Sequence, residues 1–401
     1  MADRNGLHPV SLIPGDEDRA VEDGLAVCLS GGGYRAMLFH AGAIWRLLES
    51  GLLNPAVTSP ERRFKRLSSV SGGSITSGLL GLKWRTLDFS STTALLESYR
   101  AQVIAPLQRI ASVTLAASKV KGVLRILDDV VEPGSVNEHI ARAYDKHLFE
   151  GATLDRLPAD PRWVINATNL QSGALWRFMS PYMRDWRVGE NRRTDKVTLA
   201  QAVAASAAFP PVLSPARLSF EETDFTPHSG AGGRNDLQHS PFTTQVQLTD
   251  GGVYDNLGLE TIYKRYRTLL VSDAGSPVPA VPDVPRNWAA QGRRAIDVVD
   301  HQVRALRVRL LLSAFAEGAR KGAYWAINTD VASLPAANKL PCDYDRIREL
   351  AELGTALGKL EPLLQERLIN LGYAATDASV RSWFDPDVPA PTDFPFAGSG
   401  I

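Results

Sequence analysis

Three short turns carry the side chains in this sequence best placed to do chemistry. The first is Ser30-Gly31-Gly32-Gly33-Tyr34-Arg35, between an apolar run at 25–29 and a helix-patterned stretch at 37–48. A strand that passes through bare glycines into a helix presents backbone N–H groups at a helix N-terminus, a geometry that holds negative charge. That charge is either a bound phosphate or an oxyanion formed during a reaction. The second turn, Ser69-Val70-Ser71-Gly72-Gly73, follows a strand-like run at 64–70 and leads into a helix-patterned stretch at 75–82. A serine at a strand–helix junction beside glycines has the setting of a nucleophile elbow, here with Ser69 in place of the usual first glycine. The third, Thr249-Asp250-Gly251-Gly252, ends another strand-like run. Asp250 can project onto the same rim as Ser71, although Asx-turns also look like this. Asp255 and Asp273 compete for the acid's role but lack the double glycine.

Other chemistries fit less well. Gly31-x-Gly33-x-x-Ala36 matches a dinucleotide fingerprint, which also needs an acid at the end of the next strand. That strand ends in Ser68-Ser69-Val70-Ser71, with Glu49 and Glu61 lying before it. No Lys-Ser/Thr pair follows the glycines, so a P-loop fails. A Ser–Asp–His triad in hydrolase order would need His301, which sits in a stretch patterned as a long, polar-faced helix. His40, about two turns past the glycines, reads as structural. No metal-ligand spacing or EF-hand loop occurs, so neither metal nor cofactor is expected.

The elements around these turns alternate strand, helix, strand, helix, which predicts a mostly parallel sheet covered on both faces. Residues 88–157 read as a helical insertion. Within it, 99–127 carries Arg100, Arg109, Lys119, Lys121 and Arg125 and no acid, a face that fits either a membrane surface or the core. Further strands are predicted at 163–167, 174–178, 243–248, 269–272 and 324–327. A small-residue helix is predicted at 198–208, a loop at 230–234, and long helices at 297–321 and 344–369. The expected organisation is a catalytic core at 20–275, a helical extension at 286–372, and extended arms at 1–19 and 386–401.

Lys+Arg and Asp+Glu are each 44 in 401 residues, so no global field attracts nucleic acid, and no nucleic-acid partner is expected. Two cysteines, Cys28 and Cys342, make no disulfide framework. With no leader-like start and no membrane-length apolar run, the expectation is a cytoplasmic chain, at most peripheral at membranes.

Together, Gly31-Gly32-Gly33-Tyr34-Arg35 with His40 and Gly42, Ser71-Gly72-Gly73, Asp250-Gly251-Gly252 and the segment 202–210 resemble the patatin-like phospholipase family. The resemblance spans roughly 24–276. It implies a three-layer α/β/α sandwich with a mostly parallel central sheet, to which this chain adds a helical insertion and extra C-terminal helices. It further implies a Ser71–Asp250 dyad without histidine. The oxyanion hole would be drawn from Gly31, Gly32, Gly33, Arg35 and Gly72. The implied activity is cleavage of fatty-acyl esters of phospholipids or lysophospholipids. The alternatives are a general soluble carboxylesterase and a phospholipase effector that receives an anionic ligand at Arg293, Arg294, Arg304, Arg307 and Arg309.

Overall fold

A computed structural model describes residues 21–401 except 116–134, 228–234, 276, 277, 279, 285 and 356. The arm at 1–19, the loop at 230–234 and the basic residues Lys119, Lys121 and Arg125 therefore lie outside, or almost wholly outside, the described residues.

Strand β1 (Glu22–Leu29) is followed by α1 (Gly33–Glu49), β2 (Phe64–Val70) and α2 (Gly72–Lys83). A helical stretch comprises Thr92–Tyr99, a π turn at Arg100–Ile104, Ala105–Ala111 and Ser135–Tyr144. Then come β3 (Arg162–Asn169), β4 (Leu175–Phe178), β5 (Met183–Asp185), β6 (Gly189–Asn191), α3 (Leu199–Ser206), β7 (Ala216–Ser219), β8 (Phe225–Thr226), β9 (Gln245–Asp250) and β10 (Tyr266–Asp273). The chain closes with α4 (Trp288–Ala316), β11 (Lys321–Ala326) and α5 (Pro362–Trp383).

These eleven strands form one sheet in the order β11-β10-β1-β2-β3-β4-β5-β6-β8, with β9 on β3 and β7 on β9. The strands from β11 to β3 run parallel. Those beyond β3 pair antiparallel, so the sheet is mixed around a parallel centre. The reason is local. The chain segments joining β3, β4, β5 and β6 are tight turns, and a parallel neighbour needs a crossover of about a dozen residues or more.

β1 shows how the layers are built. Leu25, Val27 and Leu29 belong to the large core that includes α1, whereas Ala26 and Cys28 face a second, smaller core with Leu257, Ile262 and Leu311. Alternation along one buried strand thus serves two apolar faces, as strands covered on both sides require. In α1 every residue but Glu49 is buried. Its outer side is covered by α5, where Gly42 and Gly372 let the two backbones touch. A Cβ on Gly42 would collide with the Ile369 carbonyl, and one on Gly372 with the Phe39 carbonyl. On the other face, Leu311 of α4 is fully buried, with Val308 and Phe315 packed beside it.

Two sequence expectations need correction at the C-terminal end. The helix expected over 344–369 is two helices, Tyr344–Ala351 and α5. Gly354 and Gly358 lie in the gap, and Pro362 takes the first helical position of α5, where its missing N–H costs nothing. Residues 386–401 have no helix or strand, yet they pack. The Phe396 ring lies 6.2 Å from Trp45, and Asn370 Nδ2 donates to the Phe396 and Gly400 carbonyls at 2.9 and 3.0 Å.

Candidate active site

Strand β3 aligns the site. Its one edge is shared by two strands: β2 pairs with residues up to Asn166, opposite Val70, and β9 takes over at Ala167, opposite Asp250. Because β2 runs parallel to β3 and β9 antiparallel, their C-terminal ends point at each other. Ser71 and Asp250 therefore meet end to end.

Ser71 has φ 50° and ψ −119° and sits immediately before α2. A positive φ on a serine is a strained backbone, costing on the order of 1–3 kcal/mol, and it persists only where surroundings enforce it. The enforcement is visible. A Cβ on Gly72 would strike the Gly33 backbone, and one on Gly73 the Leu29 and Ser30 carbonyls. Beneath the turn, Ser206 at the end of α3 acts as a tie. Its Oγ accepts the Ser71 N–H at 2.9 Å, donates to the Asn166 carbonyl at 2.6 Å and lies 2.9 Å from Ser74 Oγ. Ser69, the departure from the glycine pattern, fits here because its small side chain is buried and its Oγ accepts from Ser74 Oγ at 3.0 Å.

Asp250 is 2% exposed. Its Oδ1 accepts the Gly252 N–H at 2.7 Å, and the Ser71 hydroxyl lies near enough to act on its carboxyl. Burial pushes its carboxyl up to about 7. The bond from Gly252 and the nearby Ser71 hydroxyl oppose this rise, and the Asp300 charge adds to it. Its backbone is fixed as well: the N–H donates to the Ala208 carbonyl at 3.0 Å, and the carbonyl accepts from Thr168 Oγ1 at 2.8 Å. Among the described residues no basic side chain pairs with Asp250, whereas both competing acids have an arginine. Asp273 takes Arg304 Nε at 2.9 Å and the Tyr324 hydroxyl at 2.8 Å. Asp255 takes Arg307 at 3.5 Å and the N–H groups of Leu257 and Glu260.

The glycine turn packs directly against this pair. Gly33 and Gly72 open α1 and α2, whose first-turn N–H groups have no acceptor within their own helices. Gly32, at φ 141°, precedes Gly33. Gly31 differs from the expectation set for it. Its N–H donates to the Asn256 carbonyl at 3.0 Å, so it is not available to an oxyanion. Its importance is steric, since a Cβ there would strike Asn256 Oδ1 and press on Ser71 Cβ. Arg35 is likewise a positioning residue. Fully buried, it donates to the carbonyls of Ala274, Ala351 and Leu353 at 2.6, 2.7 and 2.6 Å, stapling the turn to two distant segments. Burial lowers its pKa to about 10, far above neutrality, so it stays charged.

Neither histidine joins the pair. His40 is fully buried, with Nδ1 2.8 Å from Ser272 Oγ and Nε2 3.0 Å from the Ser30 carbonyl, and burial lowers its pKa to about 4. It braces the glycine turn as a neutral ring. His301 is half-buried on α4. That helix also corrects the sequence reading of one polar, basic face. Arg304 and Arg307 turn inward to Asp273 and to Asp255 and Glu260, while Arg293 pairs with Asp297 and lies over the Phe209 ring at 4.6 Å.

Sequence reasoning missed Asn166, Asn256, Asp300 and the tie made by Ser206. Only Ser206 left a trace, as part of the small-residue segment 202–210. Among the described residues no cluster of three His, Cys, Asp or Glu could hold a metal ion.

In solved structures the chain is similar to human GIVD cytosolic phospholipase A2 in complex with methyl gamma-linolenyl fluorophosphonate. The identity is 13%, the match covers 90% of this chain and 58% of that one, and the TM-score is 0.47. It is also similar to VipD from Legionella pneumophila at 15% identity, covering 89% and 66% of the two chains with a TM-score of 0.31. Against two further structures of the human phospholipase the chain spans about half their length, 53% and 47%. No curated protein matches it in sequence. The family model described as patatin-like phospholipase matches residues 27–263, more than half of the 401 residues and all three chemistry-bearing turns. The chain belongs to the patatin-like phospholipase family.

Proposed function

We propose that this chain hydrolyses fatty-acyl esters of phospholipids or lysophospholipids through Ser71 and Asp250. Family membership supports lipid acyl hydrolysis as the class of reaction. The observation that carries the mechanism is the strained Ser71 elbow set end to end with a buried carboxylate that has no cation partner among the described residues. In the first step Ser71 Oγ attacks the ester carbonyl, and its proton passes to Asp250. The carbonyl oxygen becomes an oxyanion facing the N–H groups of Gly32, Gly33 and Gly72. As the intermediate collapses, the C–O bond to the lipid alcohol breaks and Asp250 returns the proton to that alcohol. Water, deprotonated by Asp250, then releases the fatty acid and restores Ser71.

A carboxylate is a weak base toward an alcohol. Burial narrows the gap by raising Asp250 to about 7, and donors preorganised for the oxyanion contribute on the order of 3 kcal/mol each. Purified protein should release fatty acid from phospholipid vesicles, and a fluorophosphonate should label Ser71. Ser71→Ala and Asp250→Asn should abolish turnover while His301→Ala keeps most of it. Folded protein that resists labelling, or a His301→Ala loss as deep as that of Ser71→Ala, overturns the mechanism.

A further inference from the structure

The side of α4 that faces away from the protein is not uniformly polar. Trp288 is 87% exposed, Val299 62%, Leu306 58%, Leu310 51% and Ile296 50%. At about 100° per residue these five positions fall within about 80° of arc, so they form one stripe along the helix. Exposed apolar residues scattered singly are ordinary, but an aligned set of this size marks a contact surface.

We propose that this stripe docks the protein on a lipid bilayer, presenting the Ser71 site to ester-bearing lipids. Three observations select a bilayer as the occupant. The first is position. Arg293 of α4 lies over the ring of Phe209, the residue after Ala208, whose carbonyl holds the Asp250 N–H. Phe209 is 37% exposed, and Val253, just past the Asp250 turn, is 50% exposed. α4 thus borders the rim of the site, with Arg293 between the stripe and Phe209. The second is anchoring. Arg304–Asp273 and Arg307–Asp255 clamp the inward side of α4 and Leu311 is fully buried, so the helix cannot simply roll its apolar side inward. The third is charge. α4 carries five arginines against Asp297 and Asp300, and Arg293 and Arg309 are exposed, as is Arg286 just ahead of it. Apolar residues flanked by arginine suit a helix that lies in the plane of a membrane containing anionic lipid. No helix among the described residues is long and apolar enough to cross one. The choice of lipid over a protein partner rests on the hydrolysis proposed above.

The test uses the full chain carrying Ser71→Ala, so that binding is read without turnover. It should float with vesicles of phosphatidylcholine and phosphatidylglycerol. Ile296→Ser/Val299→Ser/Leu306→Ser in that background should lower the bound fraction about tenfold or more. Trp288→Ala, at a site too exposed to affect folding, should lower it severalfold. In the parent with Ser71 intact, the triple change should lower the ratio of vesicle to monomeric-ester turnover by a similar factor. Equal flotation of parent and variants, or none by the parent, overturns the proposal. So does a parent that is dimeric by light scattering and becomes monomeric on the triple change, which would give the stripe to a second copy. The two readings fail separately. Flotation with no ester cleaved leaves the docking surface and removes the hydrolase, whereas cleavage and Ser71 labelling without flotation do the reverse.

Discussion

At the scale of residues, the site turns on a carboxyl group that burial holds near neutrality. In the proposed mechanism Asp250 must be ionised to accept the Ser71 proton, so kcat/KM should rise with pH and level off above about 7. The same shift has a thermodynamic consequence of defined sign. The folded value lies above the ordinary 3.8, so between about 4 and 7 the folded state holds a proton that the unfolded state has lost. The stability contributed by this group is therefore fully present below about 4 and is lost as pH rises through about 7. At about 1.4 kcal/mol per pKa unit the loss amounts to a few kcal/mol at pH 8. Asp250→Asn should consequently raise Tm at pH 8 and change it little at pH 4, a comparison that calorimetry makes directly; an unchanged Tm at pH 8 would show that the carboxylate is better solvated than its burial implies. Ser206 acts on the same chemistry from beneath. Ser206→Ala leaves the Ser71 N–H and the Asn166 carbonyl without their shared partner, a buried loss of about 1–3 kcal/mol. If Ser206 holds the elbow, fluorophosphonate labelling of Ser71 slows and kcat falls while KM stays put. A loss of Tm without slower labelling would assign Ser206 to the fold alone.

At the scale of elements, the contact between α1 and α5 is set by two glycines. Gly372→Ala should cost several kcal/mol, more than the helix propensity of alanine can return, because the backbones must separate to admit the methyl group. A Tm equal to the parent's would mean that the helices yield freely. Much of this level was legible in the sequence. The glycines after β1 and β2, and the position of Ser71 between strand and helix, follow from local rules that need no knowledge of distant partners. The pairing of β9 did not follow, because whether Asp250 meets Ser71 depends on which edge of β3 accepts it. The role of Arg35 was equally hidden, since its acceptors Ala351 and Leu353 lie over three hundred residues away. α4 was misread for a related reason. Its pattern reads as a long, polar-faced helix, yet Arg304 and Arg307 point inward to carboxylates that only the fold brings near.

At the scale of the whole molecule, the sheet divides two apolar layers of unequal size. The layer around α1 is extensive, whereas the one beneath α4 gathers few buried side chains and leans on ion pairs. Local opening should follow that inequality. Hydrogen exchange should find α1 protected nearly to the limit of global unfolding and the first half of α4 exchanging far sooner; equal protection would mean that the ion pairs stabilise as much as the larger core. Beneath both layers, β3 has a consequence of another kind. Its neighbouring residues Asn166 and Ala167 are opposite the last residue of β2 and the last residue of β9. The ends of β2 and β9 are therefore held a single step of one strand's pleat apart. A pleat changes only in whole residues, so loops at the rim can diversify, but none of them can shorten or lengthen the gap between the ends of β2 and β9.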